Sequence, residues 1–177
     1  KGKIKYSIAI MCGHLKSKLY ADFLAWQKKI RPGLLNEIDF RRKVKGFNAD
    51  DYGLSFKSIS KNGKIEHKKI LNRNLFGASW GYGFFMYDAC NYCDDVMGET
   101  ADITLGDAWL DNYKKDYKGN NVIVVRNKKI NFLLKNGKKS KTLNIEKTSE
   151  SDIIKSQLGA FRQRNDGLSY RLYLKDK

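Results

Sequence analysis

Apolar and polar positions change period several times along the chain, and each change marks an element. Residues 4–11 (IKYSIAIM) are rich in β-branched and apolar side chains and predict a buried strand, broken by Gly13. From residue 17 to 29 the apolar residues Leu19, Tyr20, Phe23, Leu24 and Trp26 recur at helical spacing, with Trp26 expected in the core and Pro32-Gly33 expected to close the helix. Residues 37–40 read as a short strand running into Arg41-Arg42-Lys43. Residues 52–60 and 64–70 alternate around Asn62-Gly63, which predicts a hairpin because both turn positions tolerate positive φ.

The pattern then becomes irregular. Gly77, Gly81 and Gly83 stand among aromatic residues in 75–85, a composition suited to a tightly packed loop, and this loop leads into Cys90-Asn91-Tyr92-Cys93. Residues 101–105 and 121–126 predict two further strands, 130–134 a helical turn and 143–145 a weak strand. In 151–164 the residues Ile153, Ile154, Leu158 and Phe161 share one helix face. Strands and helices mix without strict βαβ alternation, so the expected fold is α/β to α+β: a mixed sheet flanked by helices, with an irregular Gly/aromatic-rich Cys-x-x-Cys loop. With 177 residues, one proline and no linker-like tract or repeat, residues 1–177 are expected to form one domain.

Charge narrows the partners. Lys and Arg number 35 against 19 Asp and Glu, a formal charge of +16, which attracts nucleic acid, acidic membranes or phosphorylated cofactors. The lysines are scattered in singles and pairs rather than gathered in a stripe, which favours a solvated surface over a nucleic-acid footprint. No apolar run approaches the ~20 residues of a membrane span. The apolar stretch behind the basic Lys1-Gly2-Lys3 is too short for a signal peptide. Three cysteines, two of them in a Cys-x-x-Cys pair, point away from a secreted disulfide framework and towards a reducing, cytoplasmic setting.

Cys90 and Cys93 carry the strongest chemical signal. Two intervening residues let a tight turn aim both sulfurs at one centre, as half of a zinc site, half of an iron–sulfur site, or a redox dithiol; two unrelated buried cysteines are the plainer alternative. The other donors that zinc would call on, Cys12, His14 and His67, show no second paired spacing.

The surrounding motifs decide more. Cys90-Asn91-Tyr92-Cys93 is followed by Ala101-Asp102-Ile103-Thr104-Leu105-Gly106-Asp107 and then by Gly119-Asn120-Asn121-Val122-Ile123-Val124-Val125-Arg126. In order and spacing this resembles the C-terminal domain of the coenzyme F-420 hydrogenase/dehydrogenase beta-subunit family. The likeness reaches back through Cys12-Gly13-His14-Leu15-Lys16-Ser17 and Asp39-Phe40-Arg41-Arg42-Lys43, and forward into Gln163-Arg164-Asn165-Asp166-Gly167-Leu168. It implies an electron-transfer oxidoreductase subunit with FAD, a 4Fe-4S cluster and, as one acceptor, coenzyme F-420. It also implies a redox partner protein or an N-terminal region of the same protein beyond this chain, which lacks an initiator Met. By the resemblance Cys90 and Cys93 are cluster ligands. Many members carry a Gly-Thr-Pro-Cys-like turn after the first strand, whose cysteine is a candidate ligand; here the turn is Met11-Cys12-Gly13-His14-Leu15-Lys16, with the cysteine earlier and no proline, so Cys12 is either a third ligand or a buried strand-end cysteine. A 4Fe-4S cluster usually takes four thiolates, so the rest would come from outside this chain.

Further candidates follow from the implied cofactors. Arg41 and Arg42 suit the FAD pyrophosphate, since arginine grips phosphate oxygens in a fork, or they belong to a solvated loop. His14 either faces a flavin or substrate or is an ordinary loop histidine. Trp80 is expected to shield the cofactor or cluster. Asp102 and Asp107 orient groups near the cluster or simply hold turns, and Gly106 permits close backbone approach or positive φ. Arg126 pairs with a buried acid or contacts an anionic cofactor. No residue stands out as a catalytic acid or base. A reading from another class is a non-catalytic metal-binding partner domain linked to surface polysaccharide biosynthesis.

Overall fold

A computed structural model describes residues 4–176; Lys1-Gly2-Lys3, weighed above against a signal peptide, lie outside them. In chain order the elements are β1 (Ile8–Ile10), α1 (Lys18–Gln27), β2 (Leu35–Arg42), β3 (Gly53–Ile59), β4 (Ile65–Leu71), β5 (Ile103–Asp107), α2 (Asp111–Lys114), β6 (Asn121–Val125), α3 (Lys128–Lys139), α4 (Glu150–Ser156), α5 (Leu158–Phe161) and α6 (Gly167–Lys175). Short 3-10 turns at Trp80–Tyr82 and Asp88–Asn91 lie in the glycine-rich stretch, and a π-helical turn, Arg162–Asp166, joins α5 to α6. The fold is α+β. It holds two three-stranded sheets where the sequence suggested one mixed sheet. The chain divides into two compact units: the first takes the residues up to Gly13, Tyr92–Leu110 and those from Asn120 onward, the second His14–Asn91 and Asp111–Gly119.

The first unit is built on the mixed sheet β1-β5-β6, in which β1 runs parallel to β5 and β6 antiparallel to it. The strand expected over residues 4–11 is pared to three residues and is not buried: Ile8 and Ile10 are 71% and 77% exposed. The reason is topological, since β1 lies at the sheet edge and turns only Ala9 inward. Gly106 answers to close approach rather than to positive φ, because a Cβ there would collide with the Met11 side chain. Gly98, at φ +58°, likewise has no room for a Cβ beside Ala9. Asp102 fastens the sheet at one end. Its carboxylate accepts from the Ser7 amide at 2.8 Å and hydroxyl at 3.0 Å, and from Asn127 Nδ2 at 2.7 Å. These donors hold its carboxyl below the usual carboxylate range, the Ser7 amide first.

Two helical predictions in this unit change. The turn expected at 130–134 grows into α3, twelve residues capped by the Asn127 side chain, which accepts from the amides of Lys129 and Ile130. The strand expected at 143–145 is absent. Leu143 instead folds over Gly137, and its amide donates to the Gly137 carbonyl, closing α3. The helix expected over 151–164 breaks at buried Gln157, whose Nε2 donates to the Asp107 carbonyl at 2.7 Å. The chain then resumes as α5, the π turn and α6.

The second unit packs α1 on the antiparallel meander β2-β3-β4. Tyr20, Leu24, Ala25, Ile30, Leu54, Phe56, Leu75 and Ala78 form its core. α1 ends at Gln27, five residues before Pro32. Lys29, at φ +59°, takes the left-handed position, Ile30 N–H reaches back to Ala25 O, and Ile30 is buried behind it. Trp26 lies on the far face of α1, 65% exposed, and is not a core residue. The hairpin is present, but Gly63 has positive φ and Asn62 does not; Gly63 N–H donates to Ser60 O at 2.9 Å, giving a three-residue loop with a glycine bulge.

Tyr20 joins the core to the glycine-rich loop. Its ring stacks on Phe40 and meets Trp80 edge-on, and its hydroxyl donates to the Ala78 carbonyl at 2.9 Å. Replacing it with phenylalanine leaves buried carbonyls without a donor. Tyr20→Phe is expected to lower the unfolding free energy by about 1–3 kcal/mol in urea denaturation, with an unchanged denaturant slope.

Candidate functional site

The Cys-x-x-Cys straddles the division of the chain: Cys90 closes the second unit and Cys93 opens the return to the first. Both are half-buried free thiols. The Asp88–Asn91 turn sets Cys90, whose own amide donates to Tyr87 O at 3.0 Å. Its sulfur accepts the Leu15 N–H at 3.3 Å. Within the first unit, the Cys93 sulfur accepts from Arg164 Nη1. Each sulfur thus receives an N–H donor, one from the backbone and one from a guanidinium.

Arg164 is a residue to which sequence reasoning gave no role. It is 3% exposed and sits in the π turn. Its Nε donates to Gly13 O at 2.8 Å, and its Nη1 to the carbonyls of Asp95 at 3.1 Å and Cys93 at 3.4 Å. Nothing local in the sequence announces this, because its acceptors lie 69 to 151 positions away. The weak available signal is an arginine in a helical segment whose apolar spacing falters.

Cys12 is exposed, and among the described residues no group of three or more His, Cys, Asp and Glu side chains could hold a metal ion. His67, on β4, is exposed as well. Cys90 and Cys93 each have an N–H donor at the sulfur, a feature that suits metal-bound thiolates.

The other predicted residues are placed as follows. His14 is 3% exposed and stacks on Trp80 with ring centroids 5.8 Å apart, while Trp80 Nε1 donates to the His14 carbonyl at 3.2 Å. Trp80 is half-buried against the core of the second unit. Arg41 lies over the Tyr52 ring at 5.1 Å. Arg42 is half-buried, and its Nε is a buried donor with no hydrogen-bond partner among the described residues. Asp107 ends β5 and presents its carbonyl to Gln157. The Arg126 guanidinium clasps the 97–104 segment, donating to Thr104 Oγ1 at 2.9 Å and to the carbonyls of Met97, Gly98 and Ala101.

Lys16 also escaped assignment. Its ammonium donates to the carbonyls of Phe84 at 2.9 Å and Trp80 at 3.3 Å and lies over the rings of Tyr20 and Trp80. Burial lowers its pKa from 10.5 to about 8. Between those values the unfolded chain binds more protons than the folded one, so this group makes stability rise with pH. The stability difference between the wild type and Lys16→Met should therefore move in favour of the wild type between about pH 7 and about pH 9.5, as read by denaturant titration at each pH.

No curated protein matches the chain. The sequence profile that describes the C terminus of the coenzyme F-420 hydrogenase/dehydrogenase beta subunit matches residues 1–151, which take in the three cysteines, the Ala101–Asp107 motif and Arg126 and stop before Arg164. No helix among the described residues is long and apolar enough to cross a membrane. The chain belongs to the coenzyme F-420 hydrogenase/dehydrogenase beta-subunit family, a family of redox proteins whose C-terminal part it represents.

Proposed function

We propose that this chain is the electron-transfer domain of an iron–sulfur flavoprotein oxidoreductase, in which Cys90 and Cys93 ligate a 4Fe-4S cluster and FAD relays electrons to coenzyme F-420 or another acceptor. The observation that carries the reading is the pair of N–H donors aimed at the two cysteine sulfurs, since such bonds stabilise metal-bound thiolates and set cluster potential. A bound cluster would supply one-electron transfer, and the flavin would couple it to a two-electron acceptor.

The chain's own residues bind and shape. Cys12, exposed at the start of the turn after β1, is available as a further thiolate, and other ligands come from a redox partner or another region of the protein. Arg42 is the better of the two arginines for the FAD pyrophosphate, because an anion would satisfy its idle Nε–H. Arg41 offers a second guanidinium on the same strand. The Trp80 indole N–H is already spent on the His14 carbonyl, so that ring offers an apolar wall rather than a donor. Asp107 and Arg126 hold the sheet end and the loop after Cys93 in shape.

The test is the visible absorption spectrum of protein purified without oxygen, with iron, sulfide and flavin quantified, beside a Cys90→Ser/Cys93→Ser version. A broad iron–sulfur band with flavin, lost in the double variant, is the expected result. Zinc without flavin would replace this proposal with the metal-binding partner domain, and neither metal nor flavin would leave the family likeness as one of fold alone.

A further inference from the structure

We infer that Arg164 is a positioning residue for the cluster, holding the Cys93 ligand and raising the reduction potential through its hydrogen bond to the Cys93 sulfur; the inference rests on the cluster reading above. A buried guanidinium is costly unless its donors are satisfied and its charge is compensated. Arg164 is nine-tenths and more buried, and its acceptors are three backbone carbonyls and the Cys93 sulfur. Among the described residues no carboxylate contacts it. The carbonyls accept from its Nε and Nη1 but carry no net charge, so a sulfur in the anionic, metal-bound state is the one acceptor among these that would supply the counter-charge.

The surrounding backbone suits that role. Arg164 lies in a π turn, a helical irregularity frequent at functional sites, and is buried within the first unit. Arginine, unlike lysine, keeps its charge at every accessible pH and offers a planar fork of donors, which here reaches Gly13, Cys93 and Asp95 together. That grip fixes the ligand's own carbonyl and the backbone just after it, as well as its sulfur.

The electrical consequence has a definite sign. Reduction adds one negative charge to the cluster. A cation donating to a ligand sulfur stabilises the reduced form more than the oxidised form, so removing it lowers the potential. For a one-electron couple, a tenfold loss in the reduction equilibrium appears as a fall of about 59 mV.

The experiment is a redox titration of the anaerobically purified protein, followed by the electron paramagnetic resonance of the reduced cluster. Wild type is compared with Arg164→Gln, Arg164→Lys and Arg162→Gln, the last removing an exposed charge from the same turn. The expected result is a potential lowered by the equivalent of tenfold or more in Arg164→Gln, an intermediate value in Arg164→Lys and no change in Arg162→Gln. Equal potentials in wild type and both Arg164 variants would overturn the inference while leaving the cluster reading intact. Absence of iron and sulfide from the wild type would instead overturn the cluster reading, and the inference with it. Should the Arg164 variants fail to fold, wild-type protein grown with nitrogen-15-labelled arginine decides. A hyperfine coupling of a guanidinium nitrogen to the reduced cluster supports the inference, and no coupling overturns it.

Discussion

The parallel pairing of β1 with β5 is the constraint on which the rest depends. Parallel neighbours need a crossover between them, and here that crossover is the whole run from Gly13 to Tyr92, an α-helix, a three-stranded meander and the aromatic loop. Such a long closure is entropically costly, and the strands it joins are only three and five residues long. Side chains make up the difference. Asp102 and Ser7, 95 positions apart, are tied by three hydrogen bonds at the N-terminal ends of the pair. At the opposite ends Arg164 joins Gly13, where β1 has just ended, to Cys93 and Asp95, where the chain has come back. The cysteine motif therefore occupies a point the fold is obliged to fix.

A half-buried lysine and a buried arginine show how differently this chain treats the two cations. Lys16 sits under carbonyls and ring faces, and burial brings its pKa down to about 8, so it can shed its charge. Arg164 has no such escape, and its environment must be judged as that of a permanent cation. An amount of burial that lysine meets by deprotonation, arginine must meet with a partner. The excess of 35 basic over 19 acidic residues is otherwise a surface property, as the scattered lysines of the sequence imply.

How much of this could be read in the sequence depended on how local its cause was. α1 and the β3–β4 hairpin were legible because their apolar periods are long and uninterrupted. β5 and β6 were legible because short β-branched runs are bounded by glycine and asparagine. α3 was underestimated because lysines and asparagines occupy its solvent face and leave few apolar positions to count. The exposure of Ile8, Ile10 and Trp26 was misread, since composition cannot tell an edge strand from a central one or fix which face of a helix meets the sheet. The family and the cysteine pair were visible as motifs. The role of Arg164 was not, because it exists only in contacts with residues dozens of positions away.

The turn after β1 shows why a departure from a family pattern can preserve its work. Its cysteine is displaced to position 12 and is exposed, and the turn carries no proline. What this turn delivers is backbone: the Leu15 amide to the Cys90 sulfur, the Gly13 carbonyl to Arg164, and Ser17 N–H to the aromatic loop at Phe85. Proline at position 15 would remove the donor to Cys90 outright, since its nitrogen bears no hydrogen. Side-chain identity in the turn is thus freer than its path, and the sulfur contacts depend on the path.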